Sequence, residues 1–333
     1  MNAAFLCDTP EQLRAVFSAS AVRQLQELTG LDGDICTREM LVSGARDLRD
    51  AEYIFSTWGM PTLTGEEIRR YLPALRAVFY AAGSVQSFAR PFLENGVRIF
   101  SAWAANAVPV AEYTAAQIVL ANKGFFLSSR LNSRGQRAEA IRAVQQYPGN
   151  YDATVGIIGA GMIGRQVIER LKNHALEVLV FDPFLPEETA ETLGVRRVSL
   201  EMLFATCNVV SNHLANNAQT VGMLDYRLLS LLPPYATFLN TGRGAQVVED
   251  DLCRLLRERP DVTAVLDVTW PEPPAADSPF YTLENCVLTP HIAGSSGREV
   301  QRMAAYMVEE FAALLHGAPT RYEVTEKMLE TMA

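Results

Sequence analysis

One short stretch limits what this chain can fold into more than any other. Gly159-Ala160-Gly161-Met162-Ile163-Gly164 directly follows an apolar, β-branched run, residues 154–158, and leads into a helical pattern over 163–172. A strand that ends in Gly-x-Gly-x-x-Gly and opens a helix belongs to a βαβ unit of a parallel sheet, with the helix N-terminus aimed at a phosphate. Gly159 suits the tight turn, Gly161 lets a pyrophosphate approach the backbone, and Gly164 lets the helix pack on the strand. The amides of Met162 and Ile163 then face the phosphates. Taken alone, the pattern also fits an ordinary glycine-rich turn. Asp182 argues against that, because it ends the next strand, 177–181, about 20 residues on, where a carboxylate accepts hydrogen bonds from ribose hydroxyls. The same charge repels a 2′-phosphate, and Phe181-Asp182-Pro183-Phe184 contains no arginine. The expected cofactor is NAD rather than NADP.

The rest of the chain repeats the same alternation. Apolar runs at 3–7, 53–57, 77–81 and 97–101 read as strands, with helical patterns at 21–28 and 66–71 between them. A long helix is expected at 110–125, with Glu112 in its first turn, and a loop at 135–151 around Pro148-Gly149-Asn150. Strands are expected again at 154–158, 177–181, 209–211, 237–240, 263–268 and 286–289. The last helix, 298–316, stops at Gly317 with Pro319 beyond it. A chain of 333 residues exceeds one ordinary core and suits two domains of roughly 100–200 residues. The expected fold is α/β, with two Rossmann-like doubly wound parallel-sheet domains.

Charge and cysteine usage exclude several classes. A net charge of −9 repels phosphate backbones and anionic headgroups, so neither nucleic acid nor a membrane surface is an expected partner. The start of the chain lacks a basic stretch followed by an apolar run, and Arg98, Asn106 and Glu112 interrupt the apolar region 97–122. Five widely spaced cysteines form no Cys-x-x-Cys pair. They read as buried small side chains in a reducing cytoplasm, with no metal site expected.

Ligands of open α/β sheets bind outside the carboxyl ends of the strands, so polar residues there are the chemical candidates. Four segments qualify: Asn240-Thr241-Gly242-Arg243-Gly244, Asp267-Val268-Thr269-Trp270-Pro271-Glu272-Pro273, Pro290-His291-Ile292-Ala293-Gly294 and Ser211-Asn212-His213. In this order after the glycine turn, they resemble the D-isomer-specific 2-hydroxyacid dehydrogenase family, which includes phosphoglycerate, glycerate and D-lactate dehydrogenases. The resemblance covers residue 97 to the final helix. It rests on Asn-x-x-Arg-Gly, Asp-Val-x-x-x-Glu-Pro and Pro-His-x-x-Gly taken together.

The resemblance implies that Arg243, Glu272 and His291 are catalytic, and that His213, Thr220, Thr241, Asp267 and His291 lie along the cofactor. Chemistry gives each a reason. Hydride transfer to a 2-keto acid leaves a developing alkoxide, which a protonated imidazole at His291 neutralises. Glu272 holds that ring in place, and Arg243 offers a planar fork to the carboxylate and keto oxygen. Asp267 is suited to orient the nicotinamide carboxamide. A structural reading competes at His213, whose ring at a strand end could simply pair with the backbone. His174 and His316, at helix ends, are expected to face solvent.

Three places depart from the family pattern. His-x-Pro-x-Thr-x-x-Thr becomes His213-Leu214-Ala215-Asn216-Asn217-Ala218-Gln219-Thr220, without the proline and the first threonine. The substrate loop Gly-x-Gly-x-Asp-Asn becomes Ala81-Ala82-Gly83-Ser84-Val85-Gln86-Ser87, where amides near Gly83 and Ser84 are left to cradle a carboxylate. Phe55-Ser56-Thr57-Trp58-Gly59 lacks the basic residue of phosphoglycerate-type members, which argues against a phosphorylated substrate. Trp58 there reads as a pocket wall or a plain core residue.

The expectation is therefore an NAD-dependent enzyme acting on a small 2-hydroxy or 2-keto acid. Its substrate domain would comprise 1–102 and 297–333, flavodoxin-like, with an NAD-binding domain at 103–296 inserted and a cleft closing over the acid. A homodimer through the helix at 110–125 is implied by the resemblance only. Two alternatives share the scaffold: an NAD(H)-sensing corepressor-like binding protein and a phosphite-type dehydrogenase. A formate dehydrogenase is disfavoured, since those enzymes carry Gln in place of Glu272.

Overall fold

The computed structural model describes residues 1–330. The chain divides into two compact units, one formed by Met1–Asn106 with the segment from Ser295 on, the other by Ala107–Gly294.

In the first unit, five parallel strands form the sheet: β1 (Ala3–Leu6), β2 (Ile35–Cys36), β3 (Tyr53–Ser56), β4 (Ala77–Tyr80) and β5 (Arg98–Ser101). Their order is β5-β4-β3-β1-β2, the flavodoxin-like arrangement. Every residue of β3 and β4 is buried, as near-continuous apolar strands covered on both faces require. Phe79 stacks on Phe100 with ring centroids 4.7 Å apart, and Phe311 of the final helix, Val300–Leu315, meets Phe55 and Phe79 edge-on. Beside these rings the carboxylate of Glu310, buried in the same helix, accepts hydrogen bonds from the amides of Arg321 and Tyr322. That fixes the return of the chain, so that the short strand Glu323–Val324 pairs antiparallel with β5.

The second unit holds seven strands, all parallel: β6 (Tyr151–Ile158), β7 (Ala175–Phe181), β8 (Arg196–Arg197), β9 (Val209–Asn212), β10 (Thr237–Asn240), β11 (Thr263–Leu266) and β12 (Cys286–Leu288). Their order, β8-β7-β6-β9-β10-β11-β12, reverses direction between β6 and β9. That reversal opens a crevice at the carboxyl ends. Register aligns those ends, with Ile158 beside Phe181 and Asn212, Asn240 beside Asn212 and Leu266, and Leu266 beside Leu288. Two apolar clusters cover the sheet, one around Phe204, Phe238 and Leu252, the other around Ile118, Val167 and Val180.

Three local expectations change. The helix placed at 110–125 runs from Trp103 to Asn122 and contains Pro109, so Glu112 lies well inside it rather than in its first turn. Gly124, with φ +66°, ends that run and starts a separate helix, Phe125–Ser133. The segment 135–151, expected as a loop, contains the helix Arg137–Val144, whose Arg-Ala-Glu-Ala-Ile-Arg-Ala-Val composition favours helix despite the Pro148-Gly149 punctuation after it. The two-residue strands β2 and β8 were not anticipated, being too short to show a period.

Candidate active site

At the end of β6, the glycines have distinct local reasons. Gly159 has φ +89°, and a Cβ there would stand 2.9 Å from the His213 carbonyl oxygen. At Gly164 a Cβ would stand 2.0 Å from the Gly159 carbonyl oxygen, so the helix Met162–Leu171 packs tightly on the turn. Gly161 differs: nothing lies within 4 Å of where its Cβ would point. The turn therefore leaves an open cradle at the helix N-terminus, ahead of the amides of exposed Met162 and half-buried Ile163. That is the space a pyrophosphate needs.

Asp182 holds this turn to β7. Its carboxylate accepts hydrogen bonds from the amides of Ala160 and Phe184, each at 2.8 Å. Each oxygen keeps lone pairs for a ribose diol. Asp182 also lines a cavity of about 290 Å³ together with Arg197. Although no arginine is near Asp182 in sequence, β8 pairs with β7 and sets Arg197 beside Val180, with its guanidinium 3.2 Å from Glu187. Only strand pairing reveals that neighbour.

β10 delivers Arg243. Gly244 lies flush on Thr269, since a Cβ there would stand 1.9 Å from the Thr269 carbonyl carbon. This close approach seats the Arg243 turn against the loop that leads to Glu272. The guanidinium donates to the Gly242 carbonyl at 2.8 Å. Burial pulls its pKa below the usual arginine range, while the nearby Glu272 charge works in the opposite direction. Arg243 remains a cation, because an ordinary arginine titrates far above neutral pH.

His291 follows β12 with φ +55°, an uncommon conformation for a non-glycine residue. Asp267, buried at the end of β11, explains how it is held. Its carboxylate accepts hydrogen bonds from the amides of Ile292 (2.8 Å) and Ala293 (2.9 Å) and from Thr289 Oγ1 (2.6 Å), and its carbonyl accepts from the His291 amide. The turn thus folds around one carboxylate. The His291 ring meets Glu272, with Nδ1 2.7 Å from Oε1, and both side chains are partly exposed. Glu272 lies between two cis prolyl bonds, Trp270-Pro271 and Glu272-Pro273. A cavity of about 590 Å³ opens beside Asp267, Glu272, Thr289 and Tyr281.

Three residues from three neighbouring strand ends, Arg243, Glu272 and His291, are thus brought together in one unit. Other candidates are occupied differently. The His213 side chain is half-buried, bonded through Nε2 to Ser211 Oγ, and its Nδ1, shielded from solvent, has no hydrogen-bond partner among the described residues. Burial drives its pKa down to about 3, so the ring is neutral. Thr220 turns its hydroxyl to the Ala215 carbonyl, and Thr241 pairs with Thr114 of the long helix. Gly83 and Ser84 belong to the other unit, where Ser101 Oγ anchors the loop by donating to the Ala82 and Gly83 carbonyls. Trp58 is 36% exposed, which removes the plain core reading. His174 and His316 are exposed.

Sequence reasoning missed Thr289 and Asn106. Thr289 Oγ1 lies 3.2 Å from the Tyr113 hydroxyl as well as bonding Asp267; its place two residues before His291 at a strand end was an available signal. Asn106 accepts from the Ser295 amide and directs Nδ2 toward Gly83, a neighbour no local pattern shows.

The strand order and the open glycine cradle define a dinucleotide-binding unit of the Rossmann type. Residues 124–293 match the family described as D-isomer specific 2-hydroxyacid dehydrogenase, NAD binding domain. The chain belongs to this family. It is 31% identical over 217 residues to the (S)-sulfolactate dehydrogenase of Chromohalobacter salexigens, covering 65% of this chain and 69% of that protein. With the D-3-phosphoglycerate dehydrogenase of Archaeoglobus fulgidus it is 28% identical over 237 residues, 71% of this chain but 44% of that one. The chain therefore spans less than half the length of that relative. Among solved structures, the apo D-mandelate dehydrogenase of Rhodotorula graminis aligns with a TM-score of 0.81 at 17% identity, covering 98% of each chain, a likeness of fold.

Among the described residues, no group of three or more His, Cys, Asp or Glu is placed to hold a metal ion, and no helix is long and apolar enough to cross a membrane.

Proposed function

We propose that this protein transfers a hydride between NAD and the α carbon of a small, non-phosphorylated 2-hydroxy or 2-keto acid. The observation that carries this reading is the 2.7 Å pairing of His291 with Glu272 near the half-buried Arg243 guanidinium, in the unit that bears the glycine cradle.

Bound NADH supplies the hydride. Glu272 engages Nδ1 of His291, which leaves Nε2 to exchange a proton with the substrate oxygen. In the reducing direction Nε2 gives its proton to the oxygen as the α carbon gains the hydride, and the ring is then reprotonated from solvent. Arg243 grips the carboxylate and keto oxygen in a fixed fork, which selects the carbon to be attacked and stabilises the developing negative charge. Asp267 holds the turn that aims His291 and keeps spare lone pairs for the carboxamide of the cofactor. Asp182 would accept hydrogen bonds from the ribose hydroxyls, and the amides of Met162 and Ile163 would hold the pyrophosphate.

In this reading, Ala107–Gly294 binds the cofactor, and the amides of Gly83 and Ser84 are the proposed donors to the acid's carboxylate. The expected assembly is a cytoplasmic homodimer. The test is an absorbance assay with NADH and a panel of pyruvate, glyoxylate, hydroxypyruvate and phenylpyruvate. Oxidation of NADH with at least one member supports the reading. NADH binding without turnover on any member refutes it in favour of a sensing protein, and turnover on phosphite alone assigns the other chemistry.

A further inference from the structure

Between the cofactor-side loop and the Arg243 turn lies a fully buried amide network. Asn212 at the end of β9, Asn240 at the end of β10 and Gln246 are each no more than 1% exposed. Asn212 Nδ2 donates to Asn240 Oδ1 at 3.0 Å and to Gln246 Oε1 at 2.6 Å. On one side, Gln246 Nε2 donates to the carbonyls of Leu214 (2.8 Å) and Ala215 (2.9 Å), while Asn212 Oδ1 accepts from the Leu214 amide. On the other side, Gln246 Oε1 accepts from the Arg243 amide, Asn240 Nδ2 donates to the Arg243 carbonyl, and Asn240 Oδ1 accepts from the Gly242 amide. Gly242 lies against this network so closely that a Cβ would stand 3.1 Å from both Asn212 Nδ2 and Gln246 Oε1.

We propose that Gln246 is a positioning residue that ties the loop after His213 to the turn bearing Arg243, so that filling the cofactor site raises the affinity of Arg243 for the acid. The proposal rests on the dehydrogenase reading above. The loop in question is the one that departs from the family pattern, with Ala215 where the family has proline. Proline restricts backbone by its ring; here the two donors of one buried amide pin consecutive carbonyls instead. Because the same amide accepts from the Arg243 backbone, a shift of either segment breaks bonds in the other. A fully satisfied buried network favours one arrangement over partial ones, and that is what couples two sites.

The test measures NADH affinity by fluorescence with and without oxamate, a non-reacting 2-keto acid analogue. In the native protein oxamate should tighten NADH binding by about tenfold, within the usual range of coupling between sites. In Gln246→Met the coupling should fall to about one, the keto-acid KM should rise by about tenfold, and NADH affinity without oxamate should stay within about threefold. Gln246→Glu, which keeps the acceptor for Arg243 and loses the donors to Leu214 and Ala215, should also lose the coupling. A purely structural role would lower affinity for both ligands and leave their ratio unchanged, and that result overturns the proposal. Should both variants fail to fold, hydrogen exchange on the native protein decides: NADH alone must slow exchange at residues 242–247, and unchanged exchange there overturns it. If the native protein binds NADH and turns over a keto acid yet shows no coupling, only the Gln246 proposal falls. If it binds neither ligand, the dehydrogenase reading falls first.

Discussion

Replacing Gly161 by alanine separates the fold of the glycine turn from its use. A Cβ at Gly161 meets no heavy atom within 4 Å, and its φ of −73° is ordinary for alanine. The substitution should leave the apo fold unharmed or stabilise it by up to about 1 kcal/mol, through loss of freedom in the unfolded chain. NADH should suffer instead. A methyl in the cradle pushes the pyrophosphate away from the amides at the helix start, and a hydrogen bond to a charged group contributes about 1.5–3 kcal/mol. Losing one such bond weakens NADH roughly 10- to 100-fold. Gly164→Ala should behave in the opposite way, because its Cβ overlaps the Gly159 carbonyl oxygen at 2.0 Å and has only backbone to displace. That overpacking costs about 1–3 kcal/mol of stability. The assay pairs a thermal melt of the nucleotide-free protein with NADH titration by fluorescence. Unchanged NADH affinity in a well-folded Gly161→Ala protein would show that the pyrophosphate does not lie in this cradle.

Other consequences follow from the same geometry. Gly244→Ala places a methyl on the Thr269 backbone and must displace the Arg243 turn; kcat/KM should fall by about 100-fold or more with NADH affinity nearly kept, and an unchanged kcat/KM removes the argument for seating Arg243 on that loop. His213, neutral in the fold with a pKa of about 3, makes stability depend on acid. Its folded pKa is depressed, so the unfolded chain takes up the proton first. This contribution is intact above the unfolded value near 6.5 and is lost as pH falls toward 3, at about 1.4 kcal/mol per pH unit. Urea denaturation at pH 6.5 and pH 5 should differ by about 2 kcal/mol more in the native protein than in His213→Asn, and equal differences refute the buried neutral ring.

Much of this was legible in the residue order because the signals were local. A β-branched run, a spaced glycine triplet and an acid at the next strand end occupy one βαβ unit, and the parallel strands 154–158, 177–181 and 237–240 fall inside or at the edges of the observed β6, β7 and β10. Arg243, Glu272 and His291 could be singled out as candidates because each sits just past a strand with its own short motif. What escaped depends on pairing across the sheet. Arg197 approaches Asp182 only through β8, and Gln246 reaches Leu214 and Ala215 across more than 30 positions. Asp267 shows a subtler limit. Its place was plain in sequence, but its grip on the Ile292 and Ala293 amides depends on the left-handed backbone at His291, which composition does not announce. The helix Arg137–Val144 was hidden for a different reason, since the turn residues after it outweighed helix-forming residues on a largely exposed surface.

The central claim is that His291 passes the proton that accompanies hydride transfer. Stopped-flow oxidation of NADH at saturating keto acid, compared between the native protein and His291→Ala, tests it most directly. The account predicts a rate lower by about 100- to 10,000-fold in the variant, with NADH affinity within about threefold. A variant that oxidises NADH at close to the native rate contradicts it.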